Sequence, residues 1–199
     1  MVNQLLEGDT FQILQRMEKW SFIQCDYDGY QGWVDNKQWH PVPEGVTLSV
    51  SVKQTGATSP SEVAENQYLG VPYLWGGRSR GGIDCSGLTQ VCFKACGIRL
   101  LRDASQQATQ GQSVNLNEAR KDDLAFFCNN EGKIVHVGII LDKMESSTSD
   151  SQLSTLNSQF LIIHASGEVR IDCLDENGIL NSDTRQYTHR LHSIRRITG

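Results

Sequence analysis

At 199 residues, 38% of them hydrophobic, the chain is long enough to bury a sizeable core and to form one large or two small domains. A formal net charge of −5, with the Arg190 to Arg196 cluster as its one dense basic patch, excludes a nucleic-acid partner. No run of about 18 apolar residues is present to span a membrane, and the six cysteines, none in a Cys-x-x-Cys pair, read as reduced thiols. That redox reading favours a cytoplasmic protein. Met1 to Glu7 has neither the charged start nor the apolar stretch of a signal peptide, so a periplasmic or secreted location requires an export signal removed from this chain.

From Gln4 to Trp39, short apolar segments alternate with polar turns: Leu5 to Asp9, Thr10 to Leu14, Trp20 to Gln24 and Tyr30 to Val34. A spacing of about ten residues predicts a small all-β barrel. The alternation of Phe11 with Ile13, and of Trp20 with Phe22, predicts that these four share its buried face. Residues 1–42 are assigned to this module, 43–59 to a linker and 60–199 to a second domain. Ser59 is placed to cap a helix with Pro60 in its first position and Glu62 completing a capping box, and Gly70 ends it.

The glycine-rich Trp75-Gly76-Gly77 and Gly81-Gly82 lead into Asp84-Cys85-Ser86-Gly87. Ser86 to Ala95 is helix-compatible and Gly97 is a natural stop, so Cys85 falls in the first turn. Unpaired backbone N–H groups and the positive end of the helix dipole are expected there to hold the thiol below its ordinary pKa of about 8.5. Cys92 and Cys96 share the core-facing stripe of the same helix with Leu88 and read as small buried hydrophobes.

A reactive thiol needs a base and a group to orient that base. His136, within Ile134 to Leu141, and His164, within Phe160 to Ser166, both lie in strand-like apolar runs, and antiparallel pairing of those runs sets their imidazoles side by side. Between them, Met144 to Gln159 is rich in serine and threonine and reads as a long polar loop, able to reach over one end of the site. His40, His189 and His192 read as solvated or structural. No His-Glu-x-x-His occurs, and neither a metal nor any other cofactor is expected.

Taken in order, Tyr73-Leu74-Trp75-Gly76-Gly77, Asp84-Cys85-Ser86-Gly87-Leu88, the Arg102 to Gln106 segment, Asp123-Leu124-Ala125-Phe126-Phe127, His136-Val137-Gly138-Ile139 and Ile163-His164-Ala165-Ser166 resemble the NlpC family of bacterial cell-wall cysteine peptidases. The amino-terminal Leu-Leu-x-Gly-Asp and Gly29 to Val34 resemble a bacterial SH3-like domain whose usual first strand is not found here, so that the barrel is expected to be either truncated or closed by another segment. The resemblance implies an α+β, papain-like catalytic domain, with a nucleophile helix on an antiparallel sheet, preceded by the SH3-like barrel. It implies Cys85 as nucleophile, His136 as general base and His164 as the residue orienting it. It further implies hydrolysis of the bond between γ-D-glutamate and a diamino acid in peptidoglycan stem peptides carrying a free amino-terminal L-alanine. Tyr73, Asp84 and Ser86, with Tyr30 from the SH3-like module, are then the substrate-binding residues, Asp84 pairing with the ammonium. Two departures stand out: Lys121-Asp122-Asp123-Leu124 replaces the family's Pro-Gly-Asp-Leu turn, and the two histidines lie further apart than is usual. An acyltransferase on the same fold and a non-catalytic cell-wall-binding module are the alternative readings.

Overall fold

The computed structural model describes residues 1–42, 59–143 and 160–198. The linker up to residue 58 and the polar segment from Met144 to Gln159 lie outside the described residues.

In the amino-terminal module, β1 (Phe11–Arg16), β2 (Trp20–Cys25) and β3 (Gln31–Asp35) form an antiparallel meander. Leu5 to Asp9, expected as a strand, is instead a turn: the Asp9 N–H donates to the Leu6 carbonyl at 2.9 Å, and the Leu6 N–H donates to Asp9 Oδ2 at 3.0 Å. Of the four residues expected on the buried face, Phe11 packs against the module's core, whereas Ile13, Trp20 and Phe22 do not belong to it. Ser21, Ile23 and Cys25 are buried in β2, whereas Trp20 is 49% exposed and Ile13 in β1 is 40% exposed. With a period of two, choosing one face turns every alternate residue out. The inner positions are closed by Leu5, Tyr30 and Trp39 from turns and termini, so the strands supply smaller side chains there. The larger rings of Phe22 and Trp33 pair on the outer face, 5.3 Å apart.

Ser59 Oγ accepts from the Glu62 N–H at 3.5 Å and opens α1 (Pro60–Tyr68), after which Gly70 adopts φ +77°. A short ribbon, β4 (Arg78–Ser79) with β5 (Gly82–Ile83), precedes α2 (Cys85–Ala95), and α3 (Ala104–Gln107) and β6 (Gln112–Val114) follow. The remaining strands are β7 (Leu124–Cys128), β8 (Ile134–Lys143), β9 (Phe160–Ser166), β10 (Glu168–Leu174), β11 (Gly178–Leu180) and β12 (Tyr187–Arg196). Their order is β11-β10-β9-β8-β7-β12-β6, and β11 also pairs with β12. Six strands thus close into a ring, with β6 outside it. The helices pack on the outer face, where Leu88, Val91 and Phe93 of α2 meet Phe126, Val137 and Ile139. A second core, with Phe127, Ile140, Ile162, Leu174 and Ile179, fills the inner face.

In the altered turn before β7, Asp122 stands where the resemblance has glycine. Asp122 holds φ +70°, a region that aspartate tolerates better than most non-glycine residues. Its carboxylate also accepts from the Ser61 N–H at 2.7 Å, satisfying an orphan donor at the start of α1.

Polar contacts bind the amino-terminal module to the second domain. Asp9 pairs with Arg78 at 2.8 Å and Lys94 at 3.1 Å, Gln90 donates to Asp28 at 2.8 Å, and Arg102 Nε donates to Asn3 at 2.8 Å. All six cysteines are free, and among the described residues no helix is long and apolar enough to cross a membrane.

Candidate active site

Cys85 is the first residue of α2, as expected. Asp84 caps the helix, its Oδ1 accepting from the Gly87 N–H at 2.6 Å. The glycine loop lies directly against this turn: a Cβ on Gly87 would stand 2.3 Å from the Gly77 carbonyl oxygen. Backbone therefore meets backbone around the thiol, which explains glycine at that place.

The thiol meets the edge of β8. Ile140 exchanges bonds with Asp122 and Asp123 on the β7 side, so by strand alternation the Val137 N–H points the other way, toward β9. Pairing of β8 with β9 begins only at Gly138 opposite His164, which leaves that N–H for the Cys85 sulfur to accept from. Cys85 is thereby seated beside the residue that follows His136. Among the described residues no hydrogen bond joins sulfur to imidazole.

Three histidines gather on the inner face of the ring. His136 lies opposite Phe127 and His189 opposite Ile179, both inner-core positions. His136 Nε2 and His164 Nδ1 are 2.8 Å apart, and His164 Nε2 is 3.0 Å from Asp172 Oδ2. Gly138 makes room for this arrangement, since a Cβ there would stand 2.8 Å from Ile162 and 3.0 Å from His164. Arg170 grips both oxygens of Asp172 at 2.9 and 3.1 Å, and the Ser182 N–H donates to Oδ1 at 2.8 Å.

His189, read from sequence as solvated or structural, stacks on His136 with ring centroids 4.1 Å apart and planes 23° apart. The bonding atoms of the three rings lie within 4.8 Å of one another, a spacing that a metal ion could bridge. His136 and His164 already spend a nitrogen on each other, however, and His164 spends its second on Asp172. What this donor set provides as built is a defined proton arrangement. Asp172 and Arg170 were not singled out in the sequence. The available signal was the placement of three charged residues, Glu168, Arg170 and Asp172, at alternate positions of an otherwise apolar strand, one hairpin after His164.

Protonation departs from the sequence expectation. Burial pushes the Cys85 thiol up to about 11, and the neighbouring Asp84 carboxylate adds to the rise. The Val137 and Ser86 N–H groups and Arg102 pull the other way and lose, because taking a thiolate out of water outweighs a helix-start dipole. His136 is held well below its ordinary range by burial, then by His189 and His164. Burial likewise lowers His189, to about 4. Asp172 is kept ionised: its bonds to His164, Arg170 and Ser182 overcome burial. The resting pair is therefore neutral thiol and neutral imidazole.

The other expected residues converge on the same end of α2. Both Asp84 oxygens are occupied, Oδ1 by Gly87 and by Arg102 at 3.1 Å, Oδ2 by the Gly76 N–H at 2.8 Å and by Arg102 at 2.6 Å. Ser86 Oγ accepts from Arg102 at 2.9 Å. Arg102, buried to 2% exposure, was quoted in the motif series but given no role there. An ammonium approaching Asp84 shares a carboxylate that Arg102 already neutralises. Burial raises the Tyr73 hydroxyl to about 12, with Cys85 and Asp84 contributing. Tyr30, half-buried, has its hydroxyl raised by burial and feels Asp103, Arg102, Asp28 and Asp84.

This combination of helix-start thiol and strand-borne histidines is matched by sequence. The NlpC/P60 family profile matches residues 70–190, and that of the bacterial dipeptidyl-peptidase Sh3 domain matches residues 1–38. The chain belongs to the NlpC/P60 family, a family of cysteine peptidases. It is 43% identical over 101 residues to the gamma-D-glutamyl-L-lysine dipeptidyl-peptidase of Bacillus subtilis, covering 50% of this chain and 31% of that protein. It is 40% identical over 76 residues to the protein of the same name from Bacillus cereus, covering 37% and 23%. The chain thus spans less than a third of the length of either relative. Among solved structures, an NlpC/P60 family protein from Bacillus cereus superposes over 94% of this chain and 53% of its own, with a TM-score of 0.51 and 23% identity. NlpC1 from Trichomonas vaginalis superposes over 94% and 58%, with a TM-score of 0.52 and 20% identity. These likenesses show the fold.

Proposed function

We propose that the chain is a cysteine endopeptidase that hydrolyses the γ-D-glutamyl to diamino acid bond of peptidoglycan stem peptides, acting on fragments with a free amino-terminal L-alanine. The single observation that carries this reading is the hydrogen-bonded chain from Asp172 through His164 to His136, together with the bond from the N–H of the next residue, Val137, to the Cys85 sulfur. An ionised Asp172 takes the Nε2–H of His164, whose Nδ1 then accepts the Nε2–H of His136. The lone pair of His136 Nδ1 is left to receive the thiol proton. Proton transfer generates the nucleophile as it attacks, so no standing thiolate is needed. The oxyanion that forms is held by N–H groups of the first turn of α2, and the imidazolium returns its proton to the leaving amine. Water then releases the acyl half. The two dipeptidyl-peptidase relatives support the choice of bond by their names.

In this reading residues 60–199 form a papain-like catalytic domain, and residues 1–42 an SH3-like module that supplies Tyr30 to the pocket, with 43–59 as linker. Tyr73, Asp84 and Ser86 complete the pocket wall, and the six free cysteines support a reducing, cytoplasmic setting in which released fragments are trimmed. The test is incubation with L-Ala-γ-D-Glu-L-Lys, its diaminopimelate counterpart and their N-acetylated forms, followed by mass spectrometry. The free peptides should yield L-Ala-γ-D-Glu and the acetylated ones little. Equal cutting of both would overturn the free-amine requirement, and an absence of products would overturn the assigned reaction.

A further inference from the structure

A cavity of about 710 Å³ opens next to the histidine cluster, lined among others by Asn129, Asn130, Val135, Asn177, His189 and Arg190. Val135 directly precedes His136 in β8, and His189 carries the ring stacked on it. Its position has a chemical meaning. The imidazole that takes the thiol proton must hand it to the departing amine, so the amine half of a cleaved amide lies on the His136 side of the sulfur. The cavity borders His136 through Val135 and His189, and its volume is that of a small-molecule site.

Its lining is cationic and rich in donors. The Arg190 side chain is exposed and, among the described residues, has neither an ion pair nor a hydrogen bond. Of the carboxylates nearby, Glu131 pairs with Lys133 at 2.9 Å and Asp175 takes the Tyr187 hydroxyl, while Glu176 is exposed beside Asn177. Asn129 uses its amide oxygen to accept from the Glu131 and Lys133 N–H groups, both at 3.0 Å, which leaves its amide nitrogen as a donor at the wall. An open cationic fork beside amide donors suits a carboxylate.

We propose that this cavity is the subsite for the amine half of the substrate, and that Arg190 binds the carboxylate carried by that half. The proposal rests on the hydrolase reading above and names what stands on the leaving side. It makes the amine-half carboxylate a determinant of specificity.

The experiment compares two tripeptides that differ only at the carboxy terminus, L-Ala-γ-D-Glu-L-Lys and its carboxamide, with wild-type protein and with Arg190→Gln. The wild type should favour the acid by about tenfold or more in kcat/KM, mostly through KM, and Arg190→Gln should bring the ratio close to one by raising KM for the acid. Free L-lysine, titrated into Cys85→Ala protein and followed by NMR, should shift signals of Asn129, Asn130 and Val135, and those shifts should vanish when Arg190→Gln is added. An equal rate on both peptides, or a preference that survives Arg190→Gln, overturns the subsite. If neither peptide is cut but lysine still binds through Arg190, the hydrolase reading fails while the site stands; the absence of both overturns the proposal as well.

Discussion

The two halves of the active site are built by different means. On the nucleophile side, cap, glycine turn and first helical turn are neighbours in sequence, and a local hydrogen bond from Gly87 to Asp84 fixes them. On the base side, His136, His164, Asp172 and His189 come from four strands, and only the register of a closed ring brings them together. Local chemistry leaves a motif in the sequence. Register leaves residues scattered along it, each looking like a strand residue of no special kind.

The sharpest separation of the two halves is expected from Cys85→Ala, which should lower turnover at least a thousandfold with an unchanged melting curve, because the sulfur sits at the end of a helix held by Asp84 rather than by the thiol. Activity above a hundredth of wild type in a folded mutant would remove Cys85 from the chemistry. Asp84→Asn should act in the opposite sense, on stability first. It leaves the buried Arg102 guanidinium without its counter-charge, a change that typically costs about 3–5 kcal/mol, measurable by denaturant unfolding. A loss below about 1 kcal/mol would mean that Arg102 finds water.

On the base side, Asp172→Asn is expected to lower kcat about a hundredfold. An amide can present its NH₂ to His164 and reverse the tautomer chain, a smaller effect than altering the base itself. KM should stay near its wild-type value, and a change confined to KM would place Asp172 outside the proton path.

The base side should also respond more to acid. His136 and His189 are held neutral, below the 6.5 of an ordinary histidine. The unfolded chain therefore binds their protons more readily than the folded one, so stability is lost as the pH falls from about 6.5 toward the folded value, about 4 for His189. Melting temperature should drop by several degrees across that window, and His189→Phe should flatten part of the slope while retaining a stacked ring. A melting temperature that stays level from pH 7 to 4.5 would contradict the buried neutral cluster.

Smallest in effect is Asp122→Ala, at about 1–2 kcal/mol, from the lost bond to the Ser61 N–H and from alanine's poorer fit to a positive φ. Asp122→Asn should recover most of it, since asparagine tolerates the same backbone and offers the same acceptor. If alanine and asparagine melt alike, the carboxylate bond contributes nothing.

What was legible in the sequence follows the same division. Ser59, Gly70 and Gly97 marked helix ends where the structure has them, because capping is decided within a few residues. The small sheet's buried face was misread in part, since large aromatic side chains at Trp20 and Phe22 suggested an interior that Tyr30, Trp39 and Leu5 already fill. His189 passed as a residue among arginines because nothing local shows that β12 meets β11 and turns that position inward. The thiol's raised pKa was likewise out of reach: the helix start is visible in sequence, whereas the burial that opposes it comes from the strands packed around it.

The pairing of Gly138 with His164 fixes both imidazoles a few residues from one end of the β8–β9 hairpin, whereas the chain leaves β8 at Lys143 and re-enters β9 at Phe160, at the other end. At about 3.3 Å per residue, Lys143 lies roughly 23 Å along the strand from His136. The number of residues between the two histidines therefore records how long the connection is and says nothing about the catalytic geometry. A pattern that requires a fixed interval between them would pass over chains whose active sites are the same, and the partner of a strand-borne histidine is better sought by its register than by its distance along the sequence.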